Sequence, residues 1–207
     1  MIDLIKQDGL PVSIVVPTTS KRIGFFNAFV KPMLMAQGFK EIIVVKDEGS
    51  APVQRNIGLE KAKQPYIMFV DDDTVLPVNY VETLYDTLKM YDVDVVYTGY
   101  LGIVLNKNVQ PSTNFKIPAI DFNYERLREG NFIDTTSLIK KEACPAWDES
   151  LKRYQDWDLY LTMAEKNAYF TCVKNTYFIK YFMYEGITSK NNNIMEAYKI
   201  IKQKHGR

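Results

Sequence analysis

A chain of 207 residues with 46% apolar and 25% charged residues has the make-up of an ordinary globular protein, which excludes collagen-like, low-complexity and largely disordered readings. Lys and Arg number 26 against 25 Asp and Glu, so the net charge of +1 lacks the basic excess of a general nucleic-acid binder. Cys144 and Cys172 form no CxxC pair, which argues against a disulfide framework or a structural zinc site. The single histidine, His205, excludes a multi-His metal site or a His-based triad unless the tail folds back. Residues 1–8 are broken by charge before a signal-like core can form, and no stretch approaches the ~18 apolar residues of a membrane span. A cytoplasmic, non-spanning protein is the expectation.

In chain order, the β-branched run 12–16 ended by Pro17 predicts a strand buried on both faces. A helix follows over about 22–37, then a strand at 41–45 and a polar loop at 46–50. Pro52 marks the start of a second helix carrying Arg55, Asn56, Leu59 and Ala62. After the Gln64-Pro65 stop, strand 66–70 leads into Asp71-Asp72-Asp73. This β-α-β-α-β alternation implies a parallel sheet with ligands outside the carboxyl ends of its strands, so loops 17–22, 46–52 and 71–77 should converge. A helix at about 77–90 and a strand at 93–97 continue the pattern, and the stretch 99–130 reads as hairpins and loops. A strand near 135–139, a helix over 155–166, strands within 169–184 and a helix near 193–204 complete the chain. Without a linker or repeat, one domain over 1–207 is expected.

Three adjacent carboxylates at 71–73 repel one another unless a cation or donor groups neutralise them. Carboxylate oxygens suit Mg²⁺ or Mn²⁺, which also bind substrate phosphates, although a solvated loop with a helix cap would use the same residues. Arg55-Asn56 early in a helix suits a diphosphate, or a plain surface pair. Asp47-Glu48 can accept from a ribose or base, or form a polar turn. Asp156 stands at the start of a helix with apolar residues at 157, 160, 161 and 164, where a cap or a general base is possible. Trp147 just upstream offers aromatic surface of the kind sugars stack upon, or core filling.

The ordered series Ser13-Ile14-Val15-Val16-Pro17-Thr18, Val45-Lys46-Asp47-Glu48-Gly49-Ser50, Arg55-Asn56, Phe69-Val70-Asp71-Asp72-Asp73 and Trp147-Asp148-Glu149 with Gln155-Asp156-Trp157-Asp158 resembles family 2 glycosyltransferases of the GT-A fold, across about 12–189. The resemblance implies a three-layer α/β/α domain with a central, mainly parallel sheet. Its nucleotide-binding part would be about 1–98 and its acceptor part about 99–207. It places base and ribose at Pro17, Thr18, Thr19, Asp47 and Glu48, the diphosphate near Arg55 and Asn56, and the donor against Asp71 and Asp72. Metal binding falls to Asp73 and Asp71, and general-base catalysis to Asp156. Thr19, Glu48 and Gln155 depart from the commoner Tyr, Asp and acid of the family. The family's usual metal-assisting His is missing near 184–186, where Glu185 is the substitute. A looser likeness is to the small glycosyltransferase domains of large DNA viruses.

These features imply an inverting, Mn²⁺- or Mg²⁺-dependent transfer from a nucleoside diphosphate sugar, in particular a UDP-sugar, to a hydroxyl of a glycan or glycoprotein acceptor. Few residues follow the motifs, which leaves another domain or subunit to complete the acceptor site. A nucleotidyltransferase would carry a Gly-rich loop after the first strand, where Pro17 to Arg22 has no glycine. Neither GxGxxG nor GxxxxGK[ST] occurs. A non-catalytic sugar- or nucleotide-binding module is the rival from another class, and detectable donor hydrolysis separates it from an enzyme.

Overall fold

The structure, a computed structural model, describes residues 1–108, 110–182 and 194–206. Its strands are β1 (Ile2–Lys6), β2 (Leu10–Thr18), β3 (Phe39–Lys46), β4 (Tyr66–Phe69), β5 (Thr74–Val75), β6 (Val95–Leu105), β7 (Pro111–Ile117), β8 (Leu138–Lys140) and β9 (Phe170–Phe182). Its helices are α1 (Ile23–Phe25), α2 (Lys31–Met35), α3 (Ala51–Lys61), α4 (Tyr80–Tyr91), α5 (Tyr124–Glu129), α6 (Gln155–Glu165) and α7 (Ile194–His205). A π-turn, Phe26–Val30, joins α1 to α2.

Among the described residues the strands form one mixed sheet, ordered β1-β3-β2-β4-β8-β6-β9-β5, with β7 added on β6. The β-α-β-α-β segment makes its parallel part, β3-β2-β4. Antiparallel β8 then separates β4 from β6, and β6 pairs parallel with β9. Alternating residues divide the core between the two faces. Val12, Ile14 and Val16 pack with Phe26, Leu34 and α4's Leu84 and Leu88, while Val15 lies with Trp157, Leu161 and Ile201 of α6 and α7. Helices thus cover both faces, which is the three-layer arrangement of the GT-A fold.

Strands β1 and β5 were outside the sequence expectation, whereas β6 and β7 supply a hairpin in the stretch read as hairpins and loops. β1 pairs antiparallel with β3 through its backbone while its side chains stay largely exposed, so no inward-facing apolar period marks it. β6 runs well past 97 to Leu105 and returns through β7, whose seven residues are all exposed. Glu185 lies outside the described residues. No helix among the described residues is long and apolar enough to cross a membrane.

Candidate active site

The three loops at the carboxyl ends of β2, β3 and β4 meet, and side chains tie them together. Thr18 at the end of β2, next to Pro17, donates its hydroxyl to Asp72 Oδ2 at 2.6 Å. Asp47, in the left-handed region at φ 57°, accepts from the Ser20 backbone N–H at 2.8 Å and from the Ser20 hydroxyl. Its own N–H donates to the Thr18 carbonyl at 3.2 Å. The Thr19 carbonyl accepts the N–H groups of Arg22 and Ile23, which starts α1. Glu48 pairs with the Met1 amino group, at the rim.

Each aspartate of the cluster meets a basic side chain. Arg22 Nη2 lies 2.6 Å from both Asp72 Oδ1 and Asp73 Oδ2. Asp71 receives Arg55 at 2.7 Å and Lys180 at 3.4 Å. Burial works to raise the Asp71 carboxyl, but Arg55 and Lys180 outweigh it and hold it well below the usual carboxylate range. Burial pushes Asp72 up to about 6 against the pull of Arg22, and raises Asp73 likewise, with Asp71 adding repulsion.

Arg55 reaches the site because α3 lies close on the sheet. A Cβ at Gly58 would stand 2.2 Å from Val15 Cγ1 of β2, so the helix can approach this far only with glycine there. The guanidinium donates to Asp71 and, at 2.8 Å, to Gln155 Oε1 at the start of α6. Gln155, standing where the family more often has an acid, thereby couples α6 to the end of β4. Asn56 is turned elsewhere. Its amide donates to the Trp147 carbonyl and Glu149 and accepts from the Trp147 N–H, so the side chain expected at the diphosphate holds the 147–149 loop.

Trp147 is not a sugar-stacking surface. It is 3% exposed, with its ring 4.6 Å from the Arg55 guanidinium and edge-on to Phe69 at 4.9 Å, and it fills core beneath the site. Asp156 follows Tyr154, whose left-handed φ of 58° turns the chain into α6. Burial and the nearby Asp134 raise the Asp156 carboxyl to about 6, while Lys180, the Trp157 N–H and Arg55 pull the other way. A carboxyl so placed is ionised at neutral pH yet basic enough to accept a proton.

Arg22, Asp134 and Lys180 were missed as site residues. Lys180 sits between Phe178 and Phe182 on β9, donates to Asp134 at 2.8 Å and keeps its proton firmly despite burial because Asp134 and Asp71 flank it. A lysine at the inward period of an otherwise aromatic strand was the available signal. Arg22 was visible only as a basic residue in the first loop.

Among the described residues no group of three His, Cys, Asp or Glu side chains is gathered as a cation cage. One atom nonetheless suits a divalent ion. Asp73 Oδ1 is buried without a hydrogen-bond partner among the described residues, a hard oxygen of the kind Mg²⁺ or Mn²⁺ takes alongside substrate phosphates.

The family profile described as glycosyl transferase family 2 matches residues 35–146, which include β3, the Arg55 helix, the aspartate cluster and the start of the Trp147 loop. The chain belongs to glycosyl transferase family 2. A curated relative, the glycosyltransferase GlyG of Streptococcus pneumoniae serotype 4, is 33% identical over 67 residues, 32% of this chain and 22% of that protein. The fold is similar to that of S. aureus TarS. Its 1–349 fragment superposes with a TM-score of 0.63 at 16% identity, covering 93% of this chain and 64% of the fragment. The same fragment solved with UDP-GlcNAc gives 0.64, with 65% of it covered. This chain therefore spans about a fifth of the curated relative and just under two thirds of the structural one. These relatives are bacterial, not viral.

Proposed function

We propose that this glycosyltransferase-family domain moves a sugar from a nucleoside diphosphate sugar, with UDP-sugars the first class to try, to a hydroxyl of a glycan or glycoprotein acceptor, with inversion at the anomeric carbon. The observation that carries the proposal is the Arg55 bridge, which holds the aspartate cluster of the donor loops and the Asp156 end of α6 in one site. The family assignment and the UDP-GlcNAc complex of TarS support the same donor class.

In this reading Pro17, Thr18, Thr19, Asp47 and Glu48 form the base and ribose side, and Asp71 and Asp72 flank the donor. Arg55 and Lys180 supply positive charge where the diphosphate leaves. Asp156 takes the proton of the acceptor hydroxyl as its oxygen bonds to the anomeric carbon from the face opposite the leaving group. The bond to the diphosphate oxygen breaks in the same step, and its electron pair departs with the diphosphate. The residues present fit a divalent ion: Asp73, through Oδ1, would hold Mn²⁺ or Mg²⁺, with Asp71 the second candidate ligand. When bound, such an ion neutralises charge on a diphosphate.

The test is release of UDP from UDP-GlcNAc and other UDP-sugars by wild type and Asp156→Asn, with UDP affinity measured on both. Loss of turnover with retained UDP binding supports the assignment. Equal turnover in both proteins removes Asp156 from the chemistry.

A further inference from the structure

Phe115 of β7 lies directly over Gly102 of β6. A Cβ built on Gly102 would fall 2.3 Å from Phe115 Cζ, so the ring occupies the space a side chain would take. Gly102 is the register partner of both Phe115 and Lys180, and Lys180 is that of Thr74. Phe115, Gly102, Lys180 and Thr74 therefore form one row across four strands, on the face where Lys180 meets Asp71 and Asp134. The missing side chain in this row leaves the aromatic ring as the lateral neighbour of the lysine at the reaction centre.

The ring is not isolated. Tyr100 stands 6.1 Å from Phe115 and stacks on Phe178 at 5.5 Å, and Phe182 lies 5.4 Å from Phe115. The cluster runs outward from buried Phe178 to Phe115, which is 38% exposed on a strand that no described residue buries. Tyr100 lies within the electrostatic reach of Asp134, Lys180 and Asp156. The donor loops hang from β2, β3 and β4, whereas this cluster is carried by β6, β7 and β9, on the other side of β8 in the sheet order.

We infer that Tyr100, Phe115 and Phe182 form the acceptor subsite, a stacking platform for a pyranose ring whose hydroxyl edge is turned toward Asp134 and Asp156. The inference rests on the glycosyltransfer reading above and extends it to the side of the site that receives the sugar. A pyranose presents a C–H face and a hydroxyl edge, and aromatic rings beside carboxylates match both. Binding sites generally pair such apolar surface with a few convergent polar groups. The platform's continuity with Lys180 and Asp134 makes an acceptor sugar its occupant, ahead of a remote protein partner.

The experiment is saturation-transfer NMR on the full chain with UDP and Mn²⁺, using the methyl β-glycosides of glucose, galactose and N-acetylglucosamine as probes. At least one should receive saturation at its ring C–H protons. Phe115→Ala should weaken its affinity at least fivefold, and so should Gly102→Ala, which displaces the ring through the far end of a flexible side chain. Phe115→Tyr should keep it. UDP affinity and melting temperature report an intact fold; if Phe115→Ala does not fold, Gly102→Ala and Phe115→Tyr decide. A wild type that binds UDP but no glycoside overturns the subsite, as does undiminished glycoside binding in Gly102→Ala. So does binding to phosphatidylcholine vesicles that Phe115→Ala removes while glycoside binding persists. A wild type that neither binds UDP nor releases it from UDP-sugars fails at the donor, which marks failure of the functional reading itself.

Discussion

Arg55 and Asp71, sixteen residues apart, share a 2.7 Å ion pair in which the guanidinium also grips Gln155. A planar fork can serve a carboxylate and an amide at once, whereas an ammonium is a point charge. Arg55→Lys should therefore keep part of the UDP affinity and Arg55→Ala should lose more, about tenfold or beyond. Because Arg55→Ala also leaves Asp71 without its closest partner, it should lower stability by about 3 kcal/mol. Calorimetric titration with UDP and chemical denaturation of both variants check the order.

Asp156→Asn should cut sugar transfer and donor hydrolysis on the order of 100-fold or more without lowering the melting temperature at neutral pH, because burial disfavours the wild-type carboxylate and the neutral amide is free of that cost. In the wild type the ionised form is the active one, so turnover should rise with pH through a midpoint near 6. Asp134 raises that carboxyl, so Asp134→Asn should move the acid limb to lower pH. A pH profile of UDP release reads both effects.

Much of this arrangement was legible in sequence because its signals are local. Short apolar runs ended by Pro17 and Asp71, and a helix start marked by Pro52, are written within windows of a few residues. What escaped depends on distant chain segments. Lys180 and Asp134 acquire their roles only when β9 is laid beside β5 and β6, and Trp147 became core because Arg55 and Phe69 enclose it. The strand β7 shows no buried period at all, so within a stretch read only as hairpins and loops nothing marked out its aromatic residue.

Asp73 has one buried oxygen without a partner among the described residues, so UDP binding should be weaker in EDTA than with Mn²⁺, and Asp73→Ala should abolish the difference. Titrations of wild type and variant, with and without the ion, give the result directly. Equal wild-type affinity in EDTA would remove the ion from the site.

Gly58→Ala gains helix propensity of about 1 kcal/mol but forces a methyl into Val15, where overpacking costs about 1–3 kcal/mol. The net should be a loss of up to about 2 kcal/mol in chemical denaturation. UDP binding should weaken with it, because α3 carries Arg55.

The tail does fold back. His205 on α7 lies 2.8 Å from Asp158 and 2.9 Å from Glu165, both on α6, with Lys204 sharing Asp158. Burial opposes its charge, but the bonds to the two acids prevail and raise its pKa above 6.5. Stability from this latch is therefore complete below the unfolded value and drains away as pH rises through the folded one. The melting-temperature advantage of wild type over His205→Gln should be largest near pH 6 and shrink toward alkaline pH.

The π-turn at Phe26–Val30 sits immediately before Lys31-Pro32, and in it the Lys31 N–H reaches back five residues to Phe26. Such a turn holds one residue more than an α-helical turn needs. The segment beside the first donor loop thus carries a spare position in its length. Removing one residue from 27–29 would shorten the turn to ordinary helical pitch, whereas the same deletion in β2 would turn every following side chain to the opposite face. Length variation among related sequences should accordingly collect at this turn rather than in the strands that flank it.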